Sequence, residues 1–331
     1  MFITRIKPSL LLLLLLIACQ TPTSTPVPID DTPNFFPTQL SQTQPPNPAG
    51  IKTTQTPKTL IPNFDHVVII VLENNDYDKV IGNPKMPIYN KIANHYTLLK
   101  QFYAITHPSL PNYMAIIGGD TFGITSDCID CFVNAPSLPD LIETSGRTWK
   151  TYLEDMPSPC FTGNSAKYYQ KHNPFIYFDS IRLDQTRCEQ HVVPLTELQS
   201  DIKSDSLSNF IFISPNICND SHDCDLDATD EWLTDQLNLL FPALNKINQS
   251  YLIVITFDEG EKNDSCCGLP KNAGGRIATV LLSSQVKNGF QDDTPYTQYS
   301  LLKTISAAWG LPYLGHAADD NTTLITAPWA P

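Results

Sequence analysis

Three apolar runs, each ending on a short polar motif, constrain the fold of this chain more than any other feature. Val67-Val68-Ile69-Ile70-Val71-Leu72 runs into Glu73-Asn74-Asn75. Asn209-Phe210-Ile211-Phe212-Ile213-Ser214 runs into a segment that carries Asp220-Ser221-His222-Asp223. Tyr251-Leu252-Ile253-Val254-Ile255-Thr256-Phe257 runs into Asp258-Glu259-Gly260. Buried parallel strands read as continuous β-branched and aromatic runs. In open α/β sheets, ligands bind beyond the carboxyl ends of such strands. Three strands that deliver carboxylates, amides and an imidazole to one sheet edge have the layout of a metal or phosphate site.

Helical patterns separate the strands. Helices are predicted near residues 87–95, through Met114–Ile117 up to Gly118-Gly119, and from Ser137-Leu138-Pro139-Asp140 to a stop at Gly146. A long helix is predicted over 228–247, where Trp232, Leu233, Leu237, Leu240 and Leu244 share a face. A last helix over 299–309 turns Leu301, Leu302 and Ile305 inward. Further strands are expected at 148–153 and 277–282. Alternating strands and helices argue for an α/β fold in three layers around a doubly wound, mostly parallel sheet.

The first 62 residues have a different composition. Arg5 and Lys7 precede Leu10–Ile17, a run that is almost all leucine, and Ala18-Cys19 follows. A basic start, a short apolar run and a small residue before the processing point make a secretory signal. Leu16-Ile17-Ala18-Cys19 resembles a bacterial lipobox, in which Cys19 is lipidated. The alternative is an ordinary cleaved signal with an incidental cysteine. The expected location is the cell surface or periplasm, membrane-anchored through Cys19, or secreted if that cysteine carries no lipid. Residues 20–62 are rich in Pro, Thr, Gln and Ser and read as a disordered tether. Residues 63–331 suit one large domain, expected to be monomeric. A net charge of −13 argues against nucleic acid as a partner.

With Cys19 set aside, eight of the nine cysteines remain, an even number behind an export signal, which favours disulfides. Cys128 and Cys131 have CxxC spacing but lack the second ligand pair of a zinc ribbon. Cys218 and Cys224 flank the Asp220/His222 segment and are expected to staple it. Adjacent Cys266 and Cys267 are expected to bond to different partners, because a bridge between neighbours is strained.

Ser109 lies between Pro108 and Pro111 at a predicted helix start, where free N–H groups suit a phosphoryl anion. By itself it would be a plain helix cap. His107, Asn112 and the strand-end carboxylates change that reading. Asp258-Glu259 and Glu73-Asn74 offer oxygen ligands for hard or borderline cations. His172 on its own chemistry reads as a structural or surface histidine. His66, His95, His191 and His316 have no comparable neighbours.

Six segments, in order, resemble the phosphoesterase family that holds secreted bacterial and fungal acid phosphatases and is related to phosphatidylcholine-type phospholipase C. They are Val71-Leu72-Glu73-Asn74, Thr106–Tyr113, Lys171-His172-Asn173-Pro174-Phe175, Asn219–Asp223, Thr256–Glu259 and Tyr299–Ile305. The resemblance runs from about Phe64 to Asp319. It implies an alkaline phosphatase-like fold. Ser109-Leu110-Pro111-Asn112 is also similar to the Thr-Phe-Pro-Asn segment of nucleotide pyrophosphatase/phosphodiesterases, whose threonine is the nucleophile, so Ser109 takes that role here. The resemblance further implies a divalent metal ion at Glu73, Asn74, Ser109, Asp258 and Glu259. Substrate contacts, or ligands of a second metal, fall at His107, Asn112, His172, Asp220 and His222. His107 or His222 would protonate the leaving group. The family often has a histidine just before Tyr299, and here the position is Gln298, so the second metal site is expected to be partial or absent.

The reaction implied is metal-dependent hydrolysis of a small phosphate ester, with a monoester first and a phosphoserine at Ser109. The alternatives are a phosphodiesterase or phospholipase C, and a catalytically weak, surface-anchored binding protein on the same fold.

Overall fold

The computed structural model describes residues 61–246 and 249–329. The signal, Cys19 and the tether up to residue 60 lie outside the described residues. Ile61, the first described residue, is buried against the core.

Among the described residues, eight strands form one sheet: β1 (His66–Leu72), β2 (Thr97–Tyr103), β3 (Trp149–Leu153), β4 (Val192–Pro194), β5 (Phe210–Ser214), β6 (Tyr251–Phe257), β7 (Arg276–Leu282) and β8 (Gln291–Thr297). Their order is β4-β3-β5-β1-β6-β7-β2-β8. β1 lies at the centre, parallel to β5 on one side and to β6 on the other. Every residue of β1, β5 and β6 is buried, so the middle of the sheet is covered on both faces. The covering helices fall into two groups. Pro87–His95 packs with Leu226–Lys246, and Ser109–Gly118 packs with Gln298–Trp309 and Leu138–Thr144. This is the expected three-layer α/β architecture.

One strand departs from the parallel pattern. β7 runs antiparallel to both β6 and β2. Parallel strands need a crossover, usually a helix. Residues 258–275 contain no helix, so the chain returns antiparallel.

The helix that opens with Ser109 is buried along its whole length. It stops at Gly119, in left-handed backbone (φ 76°). A Cβ there would lie 2.3 Å from the Leu314 carbonyl oxygen, so the position admits only glycine. This close approach pins the helix, and Ser109 with it, to the C-terminal segment.

Four disulfides join Cys128–Cys131, Cys160–Cys188, Cys218–Cys224 and Cys266–Cys267. The Cys218–Cys224 staple is as expected. The Cys266–Cys267 pair corrects the expectation: these neighbours bond to each other. Among the described residues, the other six cysteines pair among themselves. Among the described residues no helix is long and apolar enough to cross a membrane.

Candidate active site

β1 and β6 end side by side, with Leu72 opposite Phe257, so Glu73 and Asp258 emerge as neighbours. Backbone bonds fix their levels: the Glu73 N–H donates to the Asp220 carbonyl and the Asp258 N–H to the Leu72 carbonyl, each at 2.8 Å. The loop after β5 is thereby stitched to the end of β1, which brings Asp220 to the same edge. Asn74 has left-handed backbone (φ 48°), which asparagine tolerates. Its N–H donates to Asp258 Oδ1 at 3.1 Å.

Ser109 sits on this edge and is 1% exposed. Its hydroxyl lies 3.0 Å from Glu73 Oε2 and 3.3 Å from Glu259 Oε1. Lys171 Nζ donates to the same oxygen at 3.2 Å. Lys171 also contacts Asp127 Oδ2 at 3.3 Å and Glu73 Oε2 at 3.8 Å. Asp127 Oδ1 accepts the Leu110 N–H at 3.0 Å, which satisfies one free donor of the helix start. A hydroxyl at a helix N-terminus, between two carboxylates and one ammonium, is poised to change its charge.

The far side of Glu73 faces a second group. His172 Nε2 lies 3.0 Å from Glu73 Oε1, and His172 Nδ1 lies 3.2 Å from Asp220 Oδ2. Neither contact has hydrogen-bond geometry, and all four atoms are buried without a hydrogen-bond partner. Each of the three residues offers one ligand atom within 4.8 Å of the others'. Buried donors that do not satisfy one another, yet converge, fit a divalent cation. Asp258 Oδ2 is orphaned in the same way.

The electrostatics follow from burial and partners. Burial pushes the Glu73 carboxyl up, but His172 and Lys171 outweigh it and hold the group at about 2. Asp220 is pushed up to about 9, by burial first and then by Glu73. Asp258 is driven well above the carboxylate range by burial, Glu73 and Glu259. Glu259 is raised by burial, against the opposing pull of His107. His107 Nδ1 pairs with Glu259 Oε2, and this bond raises the imidazole above its usual value. Burial lowers the Lys171 ammonium, but Glu73, Asp127 and Asp258 more than compensate and keep it charged.

Glu73, Asn74, His107, Ser109, Asp258 and Glu259 are thus brought together. Four other candidate residues lie around this group. Asn112 Oδ1 accepts from the Ile105 and Thr106 N–H groups at 3.0 and 3.1 Å. Its Nδ2 donates to the Thr106 and Pro108 carbonyls at 2.8 and 3.1 Å. The amide is saturated and braces the 105–108 loop. His222 is exposed and its ring pairs with Asp223 Oδ1 at 2.8 Å. Only its backbone N–H reaches the site, through Asp220 Oδ1 at 2.8 Å. His172 and Asp220 fit the cation cluster better than a substrate contact. Lys171 and Asp127 had no assigned role. Lys171 stood in a quoted segment, beside His172, and that adjacency was the available signal. Nothing in the sequence marks Asp127. Gln298 is fully buried and its Nε2 donates to the Asp258 carbonyl at 2.6 Å, so the altered position does border the site.

A model of the phosphoesterase family matches residues 83–312. An acid phosphatase of Aspergillus fumigatus is 35% identical over 76% of this chain and 56% of its own length. A phosphatidylinositol-3-phosphatase of Mycobacterium tuberculosis is 34% identical over 81% of this chain and 84% of its own. The chain spans less than two thirds of the length of the fungal relatives it matches. Among solved structures, the PsFucS1 sulfatase of Pseudoalteromonas sp. aligns with a TM-score of 0.53 at 12% identity, over 81% of this chain and 73% of that one. The two chains share this fold.

Proposed function

The chain belongs to the phosphoesterase family, and from that premise we propose that it hydrolyses phosphate esters, monoesters first, through a phosphoserine at Ser109. The observation that carries this reading is the Ser109 hydroxyl itself, held between Glu73, Glu259 and Lys171 at a helix start. Names of relatives, acid phosphatase and phosphatidylinositol-3-phosphatase, support the same reaction class.

Ser109 Oγ attacks phosphorus in line as the bond to the ester oxygen breaks. The two neighbouring carboxylates are not equivalent as proton acceptors. Glu73 is held at about 2 and stays anionic. Glu259 is raised and therefore the better base. Lys171 stabilises charge on Oγ and on the phosphoryl oxygens. His107, raised by Glu259, supplies the proton for the leaving alkoxide. Water then cleaves the phosphoserine. Glu73 Oε1, His172 and Asp220 would hold a divalent cation, with Asp258 beside them. Such a cation neutralises phosphoryl charge and eases deprotonation of the hydroxyl.

The domain would work outside the cytoplasmic membrane, tethered through Cys19. Four disulfides fit an oxidising compartment. Turnover of a chromogenic phosphomonoester, a diester and phosphatidylcholine, each with and without chelator, tests the reading. Fastest turnover of the monoester and its loss on chelation are expected. No turnover of any ester after metal is restored would overturn it.

A further inference from the structure

A cleft of about 450 Å³ is lined in part by Ile105 and Thr106, which immediately precede His107, and by Thr297 and Tyr299, which flank Gln298. Its volume falls in the roughly 300–1,000 Å³ range of small-molecule sites. Two of its walls run straight into the site described above. Ile105 and Thr106 lead to His107 and Ser109. Thr121, Ile124 and Thr125 lead to Asp127, which holds Lys171 and the helix start. The remaining walls come from the 267–272 loop and the C-terminal 316–323 segment.

The lining has a definite chemistry. Its floor is apolar: Ile105 and Tyr299 are buried in a small cluster with Ala115, with Leu269 packed against it, apart from the main core. Its rim is polar. Among the described residues, the side chains of Thr121, Thr125, Asn272 and Asn321 have no hydrogen-bond partner. No lysine or arginine lines the cleft. Its carboxylate, Asp319, is spent on His316, at 2.8 Å. A phosphate meets no lysine or arginine here. An uncharged molecule with apolar C–H faces and many hydroxyls has both an apolar floor and a ring of free donors and acceptors.

We propose that this cleft receives the alcohol half of the phosphate ester and selects an uncharged, hydroxyl-rich alcohol of sugar or cyclitol size. The proposal rests on phosphoester hydrolysis at Ser109. The phosphoryl group occupies the charged site, and the carbon skeleton extends past Thr106 into the cleft.

The test compares kcat/KM for methyl phosphate, phenyl phosphate, glucose 6-phosphate and myo-inositol 1-phosphate. Wild type should favour at least one polyol ester over methyl phosphate by about tenfold or more. Thr125→Trp, at an exposed rim position, should erase that preference and leave methyl phosphate turnover unchanged. Asn272→Ala should cost a few-fold, expressed in KM, and it guards against a tryptophan variant that folds poorly. Equal rates on methyl and polyol esters, or an equal gain with phenyl phosphate, would overturn the cleft assignment and leave the hydrolase reading standing. Failure to turn over any of the four esters would instead overturn the hydrolase reading, and the cleft assignment with it.

Discussion

The ends of β1 and β6 differ more than their positions suggest. Glu73 and Asp258 follow adjacent strands in register, and both are fully buried. Yet Glu73 is held at about 2, while Asp258 is driven far above the carboxylate range. The difference lies in the partners. His172 and Lys171 both face Glu73. Asp258 has one backbone N–H, from Asn74, and only the weaker pull of Lys171 to set against Glu73 and Glu259. Burial alone predicts the same outcome for both groups; the placement of positive charge separates them. The β1 side is electrostatically complete, and the β6 side is short of positive charge, which is the condition a bound divalent cation would relieve.

Ser109 bridges the two sides, so its loss should have the largest effect. Ser109→Ala should lower kcat by roughly four orders of magnitude with the fold retained, as checked by steady-state rates and circular dichroism. Lys171→Met removes the ammonium from the β1 side. Turnover should fall on the order of a hundredfold, and the Glu73 carboxyl should move toward its ordinary value, visible as a shifted acid limb of the pH–rate profile. A drop in rate with an unmoved acid limb would break the comparison.

Asp258→Asn probes the other side. A neutral amide should weaken metal retention by about ten- to a hundredfold, read by metal analysis after dialysis. Unchanged retention would leave Asp258 a structural carboxylate.

The chelated protein should also show the imbalance as a pH dependence of stability. Asp220, at about 9, and Asp258 keep protons in the folded state that the unfolded chain releases near the ordinary 3.8. Folded pKa values above the unfolded ones mean that stability falls as pH rises from about 4 toward about 9. The slope is at most about 1.4 kcal/mol per pH unit for each group. Glu73 has the opposite sign: its contribution is present above the ordinary 4.5 and is lost as pH falls toward about 2. Urea midpoints near pH 5 and near pH 8 should therefore differ without metal and converge with it. The smallest effect is expected at Gln298, which touches only the Asp258 carbonyl. Gln298→His should change turnover or metal stoichiometry by a few-fold at most. An unchanged value would restrict that residue to bracing the backbone.

The centre of the fold was legible because its strands are buried on both faces and carry unbroken apolar runs. The edges were not. β8 reads Gln-Asp-Asp-Thr-Pro-Tyr-Thr, a polar, proline-bearing edge strand exposed in part, and β4 has only three residues. The antiparallel turn of β7 depends on a loop without a helix, which no strand pattern discloses. In the site, the position of the strand-end carboxylates was legible because their motifs end buried runs, and that of Ser109 because prolines bracket it at a helix start. The closeness of Asn112 to Ser109 in sequence does not reveal that four backbone groups saturate its amide. Nor does the sequence reveal that Asp223 offers the His222 ring a partner in solvent. Lys171 went unassigned because its function depends on Asp127 and Ser109, 44 and 62 residues away.

The central claim is that the hydroxyl between the two strand ends becomes covalently phosphorylated. Acid quenching of metal-loaded protein during turnover, followed by peptide mapping by mass spectrometry, tests it most directly. A single phosphoryl group on the peptide that carries Ser109, absent from the chelated protein, is the expected result. Phosphate release during turnover with Ser109 unmodified, or the phosphoryl group on another residue, would contradict it.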